Sequence, residues 1–400
     1  MWTAALSTVG VVGSIIWIAY LVAARRNQSQ IQNLADLPDM EPPGGWPSLA
    51  LVFAARDEER VVEQAARSML ALNYPALELI AVDDRSRDET GAILDKLAAS
   101  DPRLSVIHVA ELPAGWLGKT HALQAAANET DAEWVLFTDA DVVFAPNALR
   151  RAVAAAVAGG VAHMTVSPEV PTETLGERVF LSMFLTGLAF HSPGWLVQDP
   201  RSRAYLGIGA FNLVRAADFR AIGGFGRLKL SVDDDMQLGR AMKWSGRKSR
   251  VVLGARAVSV RWQVGLDGMI RGLEKNYFAG ARFQLWRMLV FQAGIILVGI
   301  AMFAGLLVGP VWCRLICGVG VAALSIMLEV MGRPCGVRWY HAAFMPVASL
   351  VNMYALFRST WHTLRRGGVT WRGHLYSLKE LRDHVSMREI WMKQLWSSTR

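Results

Sequence analysis

The sequence predicts an α/β domain built on a mainly parallel, doubly wound sheet and flanked by transmembrane helices, and three observations predict it. Between residues 48 and 262, four short β-type runs alternate with helix-like stretches. Uncharged apolar segments long enough to cross a bilayer lie on both sides of that region. The composition is too apolar for an ordinary soluble enzyme: of 400 residues 52% are hydrophobic and 19% charged, with a mean hydropathy of +0.25. Forty-two Lys and Arg against 34 Asp and Glu leave a net charge of +8, which suits an anionic membrane surface, a phosphorylated substrate or nucleic acid. Cys313, Cys317 and Cys335 lie in the apolar C-terminal part with no convergent histidine, so they read as packing residues.

The elements follow in order. Residues 1–27 read as an uncleaved anchor, because the run from Leu6 to Ala24 carries no charge and Arg25 and Arg26 follow it at once, on the cytoplasmic side. Residues 28–47 are polar and end Pro42, Pro43, Gly44, Gly45, the composition of a linker. Within 48–262, strands are expected at 49–54, 77–82, 104–109 and 134–138, and helices at 59–72, 89–99, 119–127 and 146–158. A basic, aromatic interfacial stretch occupies 263–287. Three apolar segments, 288–308, 311–331 and 340–361, make up a membrane or re-entrant region to 362, and a basic cytoplasmic tail fills 363–400. An anchor, a cytoplasmic domain and a cytoplasmic tail require an even number of later crossings. Three candidates do not provide one, so either one is re-entrant or interfacial, or the tail breaks the positive-inside expectation.

In open α/β sheets ligands bind beyond the carboxyl ends of the strands, and here the strand ends are acidic. The first ends Arg56, Asp57, Glu58, Glu59; the second Asp83, Asp84, Arg85, Ser86; the fourth Asp139, Ala140, Asp141. Asp139 and Asp141 offer two hard oxygen ligands suited to Mg²⁺ or Mn²⁺ that substrate phosphates also bind; the pattern equally suits a solvated turn before Pro146. Asp88 or Ser86 can cap the following helix while Asp83 and Asp84 accept hydrogen bonds from a nucleoside. Gly118 and Lys119 put a cation at a helix start, where phosphate binds, although the spacing is not that of a Walker loop. Asp233, Asp234 and Asp235 open a helix, and a buried member of such a run acquires a raised pKa suited to a general base.

In this order the motifs resemble those of the family 2 glycosyltransferases, inverting enzymes of GT-A fold, over about residues 48 to 261. The resemblance implies Glu58, Asp83 and Asp84 around the nucleoside, Lys119 near the nucleotide phosphates, Asp139 facing the sugar or ribose, and Asp141, with Asp139, on the metal. It implies Asp234 and Asp235 as the catalytic acidic pair, with Asp235 the general base. The flanking membrane segments, and the run from Gly367 to Tyr376, resemble the lipid-acceptor members, such as ceramide, hopene-associated and carotenoid-acid glycosyltransferases. Trp371 and Arg372 would then close over the donor diphosphate.

What the resemblance implies is transfer of one sugar from a nucleotide-sugar, UDP-hexose by default, to a hopanoid, carotenoid acid, ceramide or glycerolipid, in the bacterial inner membrane with the catalytic domain facing the cytoplasm. The family's Gln-x-x-Arg-Trp motif has no intact copy between Met269 and Trp286, which argues against a processive polysaccharide synthase. A non-catalytic scaffold would not need Asp139, Asp141 and Asp235 together. No nucleic-acid partner is expected, since the basic residues gather around membrane segments. The apolar stretch from Glu173 to Leu196 suits either a core helix or one lying in the headgroup plane, and His163 and His191 read as packed histidines.

Overall fold

The computed structural model describes residues 2–27 and 30–399. It separates into two compact units that do not follow the chain contiguously. One comprises residues 31–169, 194–261 and 379–399, the other 2–27, 30, 170–193 and 262–378.

The first unit is built on a seven-stranded sheet. Its strands are β1 (Leu49–Ala55), β2 (Leu77–Asp84), β3 (Leu104–Val109), β4 (Trp134–Asp139), β6 (His163–Ser167), β7 (Asn212–Arg215) and β8 (Ser249–Leu253), and a small ladder joins β5 (Val142–Phe144) to β9 (Val258–Val260). The spatial order is β3-β2-β1-β4-β7-β6-β8. Pairings on the β3 side of β4 are parallel, β7 runs antiparallel to both β4 and β6, and β8 is parallel to β6. β1 is apolar along its whole length because both of its faces are covered, as a central parallel strand requires.

Helices α2 (Val62–Leu70), α3 (Thr90–Ser100), α4 (Gly118–Asn128) and α5 (Ala148–Ala158) lie within two or three residues of the expected bounds. In α2 the buried residues Val62, Ala65, Ala66 and Met69 recur at the spacing of one helix face. The short helices α7 (Gly194–Val197) and α8 (Ala216–Ala221), then α9 (Asp234–Trp244) and most of α16 (Leu378–Ser397), complete this unit. Phe137 of β4 packs at 5.0 Å from the rings of both Phe219 and Phe225, in a core shared with Leu123 of α4, Leu238 of α9 and Met392 of α16. Burial of one such ring contributes about 1.5–3 kcal/mol. The strand order and directions bring the carboxyl ends of β1, β2 and β4 to one edge of the sheet.

The second unit contains α1 (Trp2–Arg26), α6 (Leu175–His191), α10 (Gly265–Gly272), α11 (Asn276–Gly280), α12 (Leu285–Ile295), α13 (Met302–Val308), α14 (Val311–Gly332), α15 (Met345–Arg366) and a hairpin of β10 (Gly368–Trp371) and β11 (His374–Ser377). A π-helical turn, Ile296–Ala301, links α12 to α13. Among the described residues four helical stretches are long and apolar enough to cross a membrane: Ala4–Arg26, Leu175–Val197, Leu285–Val308 and Val311–Cys335. α15, where a third C-terminal apolar segment is expected, is not among them. α1 lies against α13 and α14, and a Cβ at Gly13 or Gly320 would run into Leu297 or Ser14 respectively. Small residues let helices approach this closely in lipid. Phe180 and Met183 of α6 are buried, Phe180 in a core with Met269, Leu273 and Ala355, so α6 is a core helix of its unit. Cys313, Cys317 and Cys335 are buried free thiols.

Candidate active site

Three loops carry the acidic strand ends, and they divide by how their carboxylates are satisfied. After β1 and β2 the loops lock together. Arg87 N donates to Asp57 at 2.8 Å, Glu59 N donates to Asp88 at 3.1 Å, and Asp88 also accepts from the Thr90 amide and hydroxyl at 3.0 and 2.6 Å. Asp88, one residue before the N-cap Glu89, thus holds the first residue of α3. Burial opposes its charge, but these hydrogen bonds outweigh that and hold its carboxyl below the ordinary carboxylate value.

Asp84 is buried and takes a two-pronged contact from Arg85, at 2.8 and 3.1 Å. It fills the space a Cβ at position 118 would need, which explains Gly118 better than a phosphate turn does. Asp83 accepts from Ser86 N at 3.1 Å and contacts His108 Nδ1 at 3.1 Å, while the other ring nitrogen of His108 faces Asp95 at 2.9 Å. Hydrogen bonds to Asp95 and then Asp83 raise the His108 pKa. Both aspartates expected at a nucleoside thus already hold protein partners.

The edge formed by β4 and α9 differs. Lys119 Nζ donates to Asp139 Oδ1 at 2.6 Å and lies 3.6 Å from Asp234 Oδ2, so the cation expected near phosphate bridges a strand-end carboxylate and one at the start of α9. Burial works against the Lys119 charge, yet Asp139, Asp234 and Asp235 more than offset it, and its pKa stands above that of ordinary lysine. The Asp235 carboxylate accepts from Gly209 N at 2.8 Å and from Met236 N at 2.7 Å. Burial, then the charge of Asp234, pushes its carboxyl up to about 7. Burial, then the charges of Asp139 and Glu58, does the same to Asp141, again to about 7. The charges of Asp139 and Glu58 on Asp141, and of Asp234 and Asp139 on Asp235, outweigh the opposing charge of Lys119.

Two further groups of residues shape this edge, and sequence reasoning missed the second, which comes from α16. A Cβ at Gly207 would fall inside the backbone of Asp235, and one at Gly209 inside the Asp139 carboxylate; these glycines let the 207–210 loop close on both acids. From α16, Arg388 donates to Ser231 at 2.9 Å and approaches Asp233 at 3.4 Å, while Arg240 pairs with Glu389 at 2.5 and 2.8 Å. His384, buried 3.3 Å from Ser231, is pushed down to about 4 by burial and then by the charge of Arg388. The C-terminal helix therefore braces the start of the acidic run.

Trp371 and Arg372 lie in the second unit, on the β10–β11 hairpin. The Trp371 ring covers Lys275 Nζ at 3.5 Å, and with Arg271, Lys275 and Arg366 the two residues line a cavity of about 420 Å³. His163 is packed, between Ser249 and Asn212, and burial lowers its pKa to about 4.

The divalent ion that this fold implies can be tested against these residues. Among the described residues no three His, Cys, Asp or Glu side chains converge on one point. Asp139 and Asp141 nevertheless fit such an ion: Asp141 is a half-buried carboxyl in a negative field, and two oxygen ligands are enough for a cation that shares its remaining positions with substrate phosphates.

A mainly parallel sheet with its acidic loops at one edge, in this strand order, has the GT-A fold of glycosyltransferases. Residues 51–210 match the family model described as Glycosyl transferase family 2. A beta-monoglucosyldiacylglycerol synthase of Synechocystis sp. is 32% identical over 151 residues, 34% of this chain and 31% of that protein. The protein of the same name from Trichormus variabilis is 33% identical over 115 residues, 28% of this chain and 24% of that protein. The match thus spans less than a third of these curated relatives' length. Among solved structures, a mannosyltransferase from Pyrobaculum calidifontis, in complex with GDP-Man and Mn²⁺, superposes with a TM-score of 0.54 at 15% identity, covering 87% of this chain and 99% of that one. It is similar in fold.

Proposed function

We propose that this protein is a membrane-bound inverting glycosyltransferase that moves one sugar from a nucleotide-sugar, a UDP-hexose by default, to a hydroxyl of a lipid acceptor at the cytoplasmic face. The observation that carries the proposal is the convergence of Asp139, Asp141, Asp234 and Asp235 at the β4/α9 edge, where burial and neighbouring carboxylates raise Asp141 and Asp235 to about 7. A resting network of salt bridges would neutralise those charges; this one keeps one carboxyl for a cation and another for a proton.

Asp235 is the general base. Its two backbone hydrogen bonds fix the carboxylate, and a pKa near neutrality matches the task of taking the acceptor hydroxyl's proton as that oxygen attacks the anomeric carbon. Attack opposite the departing nucleotide inverts the centre. Asp234, tied to Lys119, keeps the neighbouring negative charge in place and so keeps Asp235 basic. Asp139 and Asp141 would hold Mg²⁺ or Mn²⁺, which when bound offsets charge on the donor's diphosphate. Glu58, Asp83 and Asp84 form the nucleoside side. Trp371 and Arg372, in their basic cavity, suit an anion. The glycolipid synthases among the relatives, and the four apolar helices, favour a lipid acceptor such as a glycerolipid.

The test is calorimetric titration of the detergent-purified protein with UDP, GDP and their sugar conjugates, with Mn²⁺ and with EDTA. Metal-dependent binding of one nucleotide, abolished in Asp141→Ala, is the expected result. Equal binding by the variant removes the metal assignment, and no binding of any nucleotide removes the donor site.

A further inference from the structure

The chain's own connectivity limits which helices can cross a bilayer. β6 and β7 are hydrogen-bonded neighbours in one sheet, and Arg388 and Glu389 of α16 bond to Ser231 and Arg240 in the same unit. Residues 31–169, 194–261 and 379–399 are therefore one water-soluble body, and one body occupies one side of a membrane. Each excursion of the chain from it, 170–193 and 262–378, must leave and return on the same side, so it crosses an even number of times.

The first excursion holds a single apolar helix, α6. The path back from α7 to β7, residues 198–211, has no regular secondary structure. Irregular backbone does not traverse lipid, because its amide groups would go unsatisfied. α6 thus makes no crossing, despite its hydropathy. The second excursion contains the spans Leu285–Val308 and Val311–Cys335, which together go over and come back. Nothing is left for α15 to do as a span.

α15 nevertheless has the inside-out pattern of a lipid-exposed helix. Val347, Leu350, Tyr354, Phe357, Trp361 and Leu364, spaced alternately three and four residues apart, are each between 40% and 59% exposed. The opposite face carries the polar residues and is buried in protein. Asn352 accepts from the Tyr277 hydroxyl at 2.7 Å, and Ser359 accepts from Phe278 N at 3.0 Å and donates to the Glu274 carbonyl at 2.5 Å. In water such a helix would turn the other way. Trp361, Arg365 and Arg366 gather at its end, the residues that settle at a headgroup boundary.

We propose that α15 enters the near leaflet without crossing it, with its apolar stripe forming a bilayer-contact surface, and that the chain crosses the membrane only twice between Trp262 and Leu378. This rests on the membrane part of the proposed function and not on its chemistry.

Single cysteines at Glu129, Leu307, Trp339 and Leu375, in the full chain, are labelled with an impermeant maleimide in sealed vesicles of each orientation, with the parent protein giving the background from its buried cysteines. Positions 129, 339 and 375 are expected to label from one side and 307 from the other. Labelling of 339 together with 307 means that α15 crosses and overturns the proposal. A bimane at Phe357→Cys, in vesicles containing nitroxide-labelled phosphatidylcholine, should lose its fluorescence to the lipid quencher and keep it against an aqueous one; the reverse means that the stripe faces water. Neither readout needs nucleotide or transfer, so a failed titration with UDP leaves this result intact, and the converse holds.

Discussion

The loops after β1 and β2 and those at β4 and α9 begin from the same residue type at the same edge of one sheet, and folding gives them opposite characters. Around β1 and β2, Asp57, Asp83, Asp84 and Asp88 each receive a backbone amide, an arginine or a hydroxyl, and the Asp88 carboxyl is held low. Around β4 and α9, Lys119 contacts both Asp139 and Asp234, and Asp141 and Asp235 are pushed up to about 7. What separates the two groups is burial and neighbouring negative charge: Asp235 has two amide donors, yet burial and the charge of Asp234 raise it.

Substitutions should show that contrast in different observables. The largest effect on stability is expected from Lys119→Met, which strips the cation from a partly buried acidic cluster; breaking such a pair costs about 3–5 kcal/mol, read as a lowered midpoint of urea unfolding. A midpoint within error of wild type would mean that the cluster is solvated. Gly209→Ala puts a methyl group into the Asp139 carboxylate, and we expect transfer to fall at least about tenfold, the rate equivalent of 1.36 kcal/mol, while Gly226→Ala, with open space around it, is silent.

The pH profile is next. Asp235 acts as a base only when ionised, so the transfer rate should rise with pH through about 7 and flatten above it. Below that value it should fall about tenfold per unit; a rate flat from pH 5 to 8 would remove Asp235 as the titrating base. The smallest effect belongs to Asp88→Ala, where losing hydrogen bonds to a carboxylate costs about 1–2 kcal/mol with turnover kept. Because the folded pKa of Asp88 is depressed, its contribution is present above pH 3.8 and is lost as the pH falls through the folded value. Wild type and variant should therefore converge in stability in acid.

Local patterns made much of this legible in the sequence. The alternation of apolar runs and helical stretches located the first four strands and their helices, whereas the N-cap of α3 is Glu89 and Asp88 binds the first helical residue from one position earlier. The acids at the strand ends were equally visible. Which of them are neutralised was not: Arg85 sits next to Asp84 in the chain, yet the pairing depends on the side chain folding back, and Lys119 meets Asp139 and Asp234 only after three segments converge. Arg388 reaches Ser231 from more than 150 residues away, a contact that no spacing encodes. For Gly207 and Gly209 the closely spaced glycines were a signal, but the acids they approach belong to other elements. On α6, hydropathy alone points to a span, whereas the strand pairing on either side of it does not permit one.

The most direct test is Asp235→Asn, with nucleotide binding and sugar transfer to lipid measured on the same preparation. The substitution keeps the shape and the acceptor oxygen but removes the base. Binding of the donor nucleotide should be unchanged, and transfer should fall by about 10²- to 10⁴-fold, the usual worth of a positioned general base. Transfer at the wild-type rate would contradict the account and move the chemistry away from this edge of the sheet.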